Sequence, residues 1–310
     1  MALSFSNKAG RGSVGLDVDG GYMAAVQASN GQIARATSTD LPAGVMTDGE
    51  VSDRDALSAA LSDFFKQNDL PRNVRLGVAN QQIVVRQIEL PRIDDRDERE
   101  AAVRFQAADA IAMPLDEAVL DHQVTGYTTV DGVERMQVIV VAARRAMISE
   151  LTEAVRAAGL KPEGIDLDAF ALIRALDSGT QSHDSARVHC HLAGVTNLAI
   201  AVGSSCLFTR ALSAAWSSQD VEGTAATLAD EIRLSIDYYM SQPEAREIAE
   251  VVLSGPGSCN EPLVKALEER MGRPTRVAEP PRGLDGAGVP DGDDPNRFTV
   301  AAGLAMESAA

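Results

Sequence analysis

Near its start the chain alternates apolar residues with small or polar ones, and a glycine pair interrupts the run. Residues 14–18 alternate in this way, Asp19-Gly20-Gly21 breaks the pattern, and residues 23–26 resume it. This pattern predicts two strands joined by a glycine turn. The backbone N–H groups of such a turn can bind a phosphate, although many hairpins carry glycine for their geometry alone.

The same pattern returns in the second half of the chain. Residues 188–203 again read as a strand, a small-residue turn at Ala193-Gly194, and a strand. Each hairpin continues through another turn, at Asn30-Gly31 or at residues 203–205, into a third strand and then a helix and a further strand. Such a repeat is the plan of the actin and sugar-kinase fold, with two glycine-tipped hairpins facing one cleft. We therefore predict equivalent three-stranded meanders over residues 14–39 and 187–213.

Apolar spacing and capping residues predict the remaining elements. Ser52 should cap a helix over residues 53–67, and Asp131-Gly132 should join two strands of a hairpin. Pro280 to Asn296 is rich in Gly, Pro and Asp and is predicted to be a loop, and residues 1–12 are predicted to be a disordered lead-in. Further helices are predicted over residues 97–111, 147–158, 169–176, 221–240 and 261–271, and strands over residues 74–78, 117–125, 135–142 and 250–253.

Composition narrows the class of function. With 310 residues the chain is long enough for two domains with their own cores. A net charge of −17 argues against a nucleic-acid partner and against direct adhesion to anionic lipid. Three cysteines without a secretory signal fit a reducing cytoplasm. The longest apolar run, residues 138–143, is too short to span a membrane, so we expect any membrane association to come through a partner.

Four stretches carry a resemblance to a known family. Residues 74–91 read VRLGVANQQIVVRQIELP, residues 102–111 read AVRFQAADAI, residues 113–121 read MPLDEAVLD and residues 298–306 read FTVAAGLAM. Together they resemble the PilM family, the actin-like cytoplasmic proteins of type IV pilus assembly. The resemblance extends from about residue 13 to residue 306, is specific over residues 74–124 and is weaker at the nucleotide loops.

The resemblance implies an α/β fold like that of actin and FtsA, a duplicated ribonuclease H-like fold with two halves around a nucleotide cleft. As in FtsA, a small α+β subdomain is inserted at a position different from that of the usual second subdomain of actin. We expect the first actin-like subdomain over residues 13–79 and the inserted subdomain over residues 80–160. Residues 161–186 and 297–308 should return to the first subdomain, and residues 187–296 should form the second half.

The resemblance also implies residues that meet ATP and Mg²⁺. In actin-like ATPases two acidic residues, one in each phosphate hairpin, help to hold the metal, and glycines approach the phosphates. Asp17 stands at the first acidic position and is the expected metal ligand. The turn at 255–258 resembles the adenosine-side turn, and Glu231 with Arg233 is placed to meet a ribose or base. The residues expected to contact nucleotide are Asp17, Gly20, Gly21, Gly194, Thr196, Asn197, Glu231, Arg233, Gly255, Gly257 and Ser258.

Three positions depart from the ATPase pattern. Asp19 replaces a glycine, Ala24 replaces a frequent lysine, and His191 stands in the second hairpin where the acidic and glycine pattern is expected. Losing a carboxylate and a cation weakens binding of Mg²⁺ and polyphosphate, and Asp19 adds like charge. We expect modest ATP affinity at most and negligible turnover.

Two other groups of residues have an alternative, structural interpretation. His189 and His191 share one side of a strand while Cys190 faces the other, so a packed core strand is favoured over a metal site with Cys206. Asp166 and Asp168 could suggest acid/base chemistry, but capping of the following helix is favoured.

The resemblance implies a scaffold at the cytoplasmic face of the inner membrane. Its partner would be the short cytoplasmic N-terminal peptide of a PilN-like membrane protein, which it would link to the pilus motor machinery. The peptide is expected to dock where the first half meets the inserted unit, along the segment 76–90. The alternative is an active ATPase or small-molecule kinase of the same fold, although no convincing catalytic carboxylate is found. The expected partner contacts are Gln82, Val84, Arg86, Ile88 and Arg104.

Overall fold

A computed structural model describes residues 14–29, 32–176, 185–216, 219–243, 245–284, 289 and 293–306. The expected lead-in over residues 1–12, the Asn30-Gly31 turn and part of the predicted loop at 280–296 lie outside these residues. In chain order the strands are β1 (Val14–Val18), β2 (Tyr22–Ser29), β3 (Gln32–Asp40), β4 (Met46–Thr47), β5 (Glu50–Val51), β6 (Asn73–Val78), β7 (Val84–Pro91), β8 (Ala118–Val130), β9 (Val133–Arg144), β10 (Lys161–Leu167), β11 (Ala186–His191), β12 (Asn197–Val202), β13 (Ser205–Ala211), β14 (Ile248–Ser254) and β15 (Thr275–Val277). The helices are α1 (Arg54–Gln67), α2 (Arg96–Ala110), α3 (Arg145–Ala157), α4 (Asp168–Leu176), α5 (Val221–Met240), α6 (Glu261–Met271) and α7 (Thr299–Ala305).

Two five-stranded sheets have the same topology. The first has the order β10-β6-β1-β2-β3 and the second the order β13-β12-β11-β14-β15. In each sheet an antiparallel three-stranded meander is extended by two parallel strands on the side of its first strand. The predicted duplication is therefore confirmed: the two meanders are equivalent and belong to separate sheets.

A third sheet, with the order β7-β9-β8, forms the inserted unit together with α2. Alternation along β7 places Ile88 and Leu90 under α2, where they pack with Val103 and Ala107. The predicted turn at Asp131-Gly132 joins β8 to β9, and both of its residues have positive φ, 51° and 78°, as a two-residue hairpin turn requires. The domain limits given above stay a prediction.

The closing helix α7 packs against the first sheet. Gly15 of β1 makes this possible, because a Cβ at this position would overlap the Ala301 carbonyl oxygen. On the other face of β1, Leu16 packs with Leu57 and Leu61 of α1. Strand β1 is thus covered by helices on both faces, which fixes the position of the acidic residues at its end.

Two expectations about local structure need correction. The cap of α1 is Asp53, whose carboxylate accepts the Ala56 N–H at 2.9 Å, and not Ser52. The segment 76–90 is not one strand: it divides into β6 and β7, which lie in different sheets. The break falls at Asn80, whose side-chain oxygen accepts the Gln82 N–H at 2.7 Å and stabilises a turn.

None of the helices in the described ranges is both long enough and apolar enough to cross a membrane.

Candidate functional site

The end of β1 carries the acidic part of the cleft. Asp17 is the fourth residue of the strand, is 3% exposed, and accepts a hydrogen bond from the Tyr22 hydroxyl at 3.2 Å. The guanidinium of Arg297 lies 4.7 Å from the centre of the Tyr22 ring and brings one positive charge to this side. The expected first acidic position is therefore at the cleft, and it is buried.

His191 faces this group from the second half. Its Nε2 lies 3.5 Å from the Tyr22 hydroxyl oxygen, and its Nδ1 lies 3.1 Å from the Ser254 hydroxyl oxygen. Burial lowers the pKa of His191 to about 4, so the ring is neutral at physiological pH. His191 therefore presents a neutral imidazole to the Tyr22 hydroxyl, at a position where the resemblance implied an acidic residue.

Asp19 connects the two hairpins. Its carboxylate accepts hydrogen bonds from the backbone N–H groups of Gly194 and Val195, the latter at 3.0 Å. A Cβ on Gly194 would lie 2.8 Å from Asp19 Oδ2, so glycine is required here for the carboxylate to approach. The N–H groups that were expected to bind a phosphate thus bind a side chain of the chain itself.

Burial and mutual repulsion favour the neutral forms of the acids in the cleft. Burial raises the pKa of Asp17 to about 7, and the charge of Asp19 adds to the effect, while the Tyr22 hydroxyl and Arg297 oppose it. Burial also raises the pKa of Asp19, against the N–H groups of Gly20, Gly194 and Val195. The site is therefore lined by acidic side chains that are largely shielded from water.

Asp168 is a third acidic residue of this region, and it lies at the start of α4. It is 8% exposed, and burial followed by the charge of Asp17 raises the pKa of its carboxyl well above the ordinary value. Its neighbour Asp166 pairs with Arg174 and accepts the Leu167 N–H at 2.8 Å. The expected helix cap is not the role of Asp166, because its partners are an arginine and the next residue.

The turn at Gly255–Ser258 lies against the second hairpin. Gly257 N–H donates to the Leu192 carbonyl at 2.9 Å, and Ser258 Oγ donates to the Gly255 carbonyl at 2.8 Å. Gly255 has a φ of 82°, and a Cβ on Gly257 would lie 2.9 Å from Cγ of Trp216. The turn is thus beside the cleft, and Trp216 covers part of it.

The remaining expected nucleotide contacts lie in different surroundings. Gly20 and Gly21 do not have positive φ, and Gly21 has open space where a Cβ would stand. Asn197 is paired with His191 across β11 and β12. Thr196 is fully buried beside them, and its hydroxyl has no hydrogen-bond partner among the described residues.

Glu231 and Arg233 do not form a joint site. Glu231 accepts hydrogen bonds from the N–H of Ser213, at 2.9 Å, and from its hydroxyl. Arg233 pairs with Asp230 at 3.1 Å, and it lines a different depression beside Met271 at the end of α6. Residues two positions apart on a helix point in different directions, which corrects the expectation that both meet one ribose or base.

The residues of the cleft, as they are arranged in this structure, do not fit a metal-bound triphosphate. Among the described residues no three His, Cys, Asp or Glu side chains converge in a way that could hold a metal ion. Asp17 is at the expected position for a metal ligand, but burial raises its pKa to about 7, so a metal ion would have to compete with a proton for this carboxylate near neutral pH. The phosphate-binding N–H groups are already bound to Asp19.

The expected partner surface is divided between core and surface. Ile88 is 8% exposed and belongs to the hydrophobic cluster of the inserted unit, and Val84 packs against that cluster. The expectation that these two residues contact a partner directly is corrected, because α2 covers their face of the sheet. Gln82, Arg86 and Arg104 are exposed. Among the described residues Arg104 donates one hydrogen bond, to the Leu115 carbonyl oxygen at 3.4 Å.

A groove of about 970 Å³ opens on the other face of β7. Gln87 and Glu89 line it from the inserted unit, and Leu207, Tyr239 and Arg246 line it from the second half. Strand β7 is an edge strand of its sheet, with β13 close to it. Sequence reasoning did not find this groove, because it is formed by segments far apart in the chain.

Sequence reasoning also missed Tyr22, Ser254 and Arg297 at the cleft. Tyr22 follows the glycine pair directly, and its polar hydroxyl in an otherwise apolar strand was the available signal. No spacing in the sequence indicates Ser254 or Arg297, since the folding of three distant segments brings them to the cleft.

A sequence profile of the family described as type IV pilus assembly protein PilM matches residues 22–212. Among solved structures, a PilM-PilN type IV pilus biogenesis complex matches with a TM-score of 0.81 and 22% identity, covering 95% of this chain and 97% of that chain. The cytoplasmic domain of EpsL, an inner membrane component of the type II secretion system of Vibrio cholerae, matches with a TM-score of 0.51 and 12% identity over 96% of both chains. MreB5 of Spiroplasma citri bound to ADP matches with a TM-score of 0.50 and 11% identity over 94% of both chains.

These likenesses agree with the duplicated sheets and the cleft between them. The solved structures share the actin-like fold with this chain, which confirms the predicted fold class. The family profile covers more than half of the chain and includes both the inserted unit and the second meander. The chain therefore belongs to the family of the type IV pilus assembly protein PilM.

Proposed function

We propose that this chain is an actin-fold scaffold of type IV pilus assembly that binds the cytoplasmic N-terminal peptide of a PilN-like membrane protein. The observation that carries the proposal is the match to the PilM-PilN complex over nearly the whole of both chains. The partner would hold the chain at the inner face of the cell membrane, and the chain would link it to the pilus motor machinery.

The acidic cleft supports a scaffold over an ATPase. A catalytic cleft needs ionised carboxylates for its metal and N–H groups free to meet phosphate. Here burial raises the pKa of Asp17 to about 7, His191 is neutral, and Asp19 occupies the N–H groups of Gly194 and Val195. The ATP with Mg²⁺ expected from the resemblance is therefore not included in the proposed function.

The peptide site is proposed where β7 leaves the first half and enters the inserted unit. The turn before β7 is anchored on one side, since Asn80 Nδ2 donates to the Asp48 carbonyl at 2.6 Å. Gln82 and Arg86 remain exposed beside it, and Arg104 is exposed on α2. An edge strand offers backbone hydrogen bonds to an extended peptide, and the two arginines offer positive charge in an acidic chain.

Variants that add negative charge to this surface test the location of the site. We expect Arg86→Glu, Gln82→Glu and Arg104→Glu each to weaken binding of a PilN-like N-terminal peptide by about tenfold, as for loss of a contact to a charged group. Arg156→Glu on the exposed side of α3 is the matched control and should bind as the unchanged chain does. Titration calorimetry measures the affinities. If all three variants remain folded and bind with unchanged affinity, the peptide docks elsewhere.

A further inference from the structure

Two consecutive backbone N–H groups converge on one carboxylate at the centre of the cleft. Gly194 and Val195 both donate to Asp19, from a small-residue turn between β11 and β12. Paired N–H groups of this kind form a concave binding site for anions. In this chain the anion is a side chain that lies far away in sequence and belongs to the opposite half.

The hairpins also pack directly against each other. Ala193, at the tip of the second hairpin, is 2% exposed and lies in one hydrophobic cluster with Tyr22 and Ala24 of β2. The Asp19 carboxylate fills the place where a side chain on residue 194 would stand. The contact between the halves is therefore closed by packing around a hydrogen-bonded carboxylate.

The charges of the cleft favour this internal anion over an external one. Asp17 and Asp168 lie near Asp19 and supply no positive charge for a polyphosphate, and Ala24 supplies no cation. A carboxylate already attached to the chain loses no translational freedom when it binds, whereas a free nucleotide does. Asp19 brings at most one negative charge to the turn, whereas a triphosphate without its metal ion brings several.

We propose that Asp19 takes the place of a phosphate group in the turn at Gly194 and Val195, and that it holds the two halves together without nucleotide. The two halves are then held in contact by a side chain of the chain itself, with no ligand in the turn. The inference concerns the cleft alone and does not rest on the partner proposed above.

Amide hydrogen exchange of the full chain tests this directly. In the unchanged protein the Gly194 and Val195 amides should exchange slowly, and millimolar MgATP should leave their rates unaltered. In Asp19→Ala the two amides should exchange at least about tenfold faster, the effect expected for losing a hydrogen bond to a charged group. Added inorganic phosphate should slow them again in this variant by filling the empty anion site.

The exposed Asp63→Ala on α1 is the matched control, because it removes the same charge away from the cleft. Its Gly194 and Val195 amides should exchange as in the unchanged protein, with or without phosphate. Slowing of these amides by MgATP in the unchanged protein overturns the proposal, as does an Asp19→Ala variant with unaltered exchange or without a response to phosphate.

If Asp19→Ala fails to fold, Asp19→Asn replaces it. The amide keeps one oxygen acceptor at nearly the same place, so exchange should be intermediate between the unchanged protein and an empty site. Unaltered exchange in Asp19→Asn overturns the proposal, as does slowing of the amides by MgATP in the unchanged protein. Peptide binding is a separate readout, so its loss would count against the proposed function and not against this inference.

Discussion

Asp17, which sequence reasoning predicted as a metal ligand, is a buried acidic residue. The residue lies at the end of a strand covered on both faces, so its carboxylate loses contact with water, and its pKa rises to about 7. The sequence identified Asp17 as a cleft residue through a resemblance. It did not indicate the burial, which depends on α7 and Arg297 returning from the far end of the chain.

The raised pKa of Asp17 makes its contribution to stability depend on pH. The folded chain favours the protonated carboxyl, so the contribution is fully present below the unfolded pKa of 3.8 and is lost as pH rises through about 7. We expect Asp17→Asn, which stays neutral, to gain stability relative to the unchanged protein over this interval. The difference should reach the order of a few kcal/mol.

Urea unfolding of both proteins across this range of pH measures the difference. Burial lowers the pKa of His191 to about 4, so this residue also makes the unfolding free energy depend on pH. Because His191 is present in both proteins, its effect cancels in the difference to first order. A difference in unfolding free energy that is flat from acid to neutral pH would contradict the assigned environment of Asp17.

At the scale of elements, apolar spacing predicted the long helices well. The predicted limits of α5 and α6 agree with the structure, because each has a clear capping residue before a periodic apolar face. The short strand β15 was not predicted, since three residues carry no usable period. The end of β6 was predicted at residue 78, but β7 was not predicted as a separate strand, because the Asn80 turn lies inside an otherwise strand-like run.

The packing of α7 on the first half gives a prediction about Gly303. A Cβ at this position would overlap the Ala171 carbonyl oxygen on α4, and a backbone atom cannot move away cheaply. We expect Gly303→Ala to destabilise the chain by about 1 to 3 kcal/mol or more through overpacking. Gly21→Ala is the control: its Cβ meets open space and its φ is not positive, so stability should hardly change. Thermal unfolding of both variants checks this, and equal midpoints would refute the close approach of α7 and α4.

The different exposure of side chains along β7 gives a second prediction at this scale. Ile88 is buried under α2 whereas Arg86 is exposed on the same strand. Ile88→Asp should lower the unfolding free energy by several kcal/mol because it buries an unpaired charge. Arg86→Glu should leave the melting temperature nearly unaltered. Circular dichroism melts distinguish the two, and a folded, fully stable Ile88→Asp chain would show that the register of β7 is wrong.

At the scale of the whole molecule, the repeat in the sequence predicted the duplicated sheets but not how they meet. The match between residues 14–39 and 187–213 was visible because both halves repeat the same order of strands and turns. The contact of Asp19 with Gly194 was not visible, since no local pattern specifies which groups face each other across a cleft. Asp19 was interpreted as a repulsive charge, and the structure shows that it is a hydrogen-bonded link between the halves.

The same contact gives a prediction about catalysis. With the N–H groups of Gly194 and Val195 bound to Asp19, a phosphate lacks the donors that would hold it and stabilise its developing charge. We expect no steady ATP hydrolysis by the purified chain above a buffer blank in a coupled phosphate-release assay. Steady hydrolysis that Asp17→Ala abolishes would show an active ATPase instead of a scaffold.

Binding of the partner peptide is the most direct test of the proposed scaffold function. Titration calorimetry should be performed with the purified chain and the N-terminal peptide of a PilN-like protein, with and without MgATP, and with a scrambled peptide as control. We expect saturable one-to-one binding of the authentic peptide, with the same affinity whether or not MgATP is present. Absence of binding, or binding that appears only with MgATP, would contradict it.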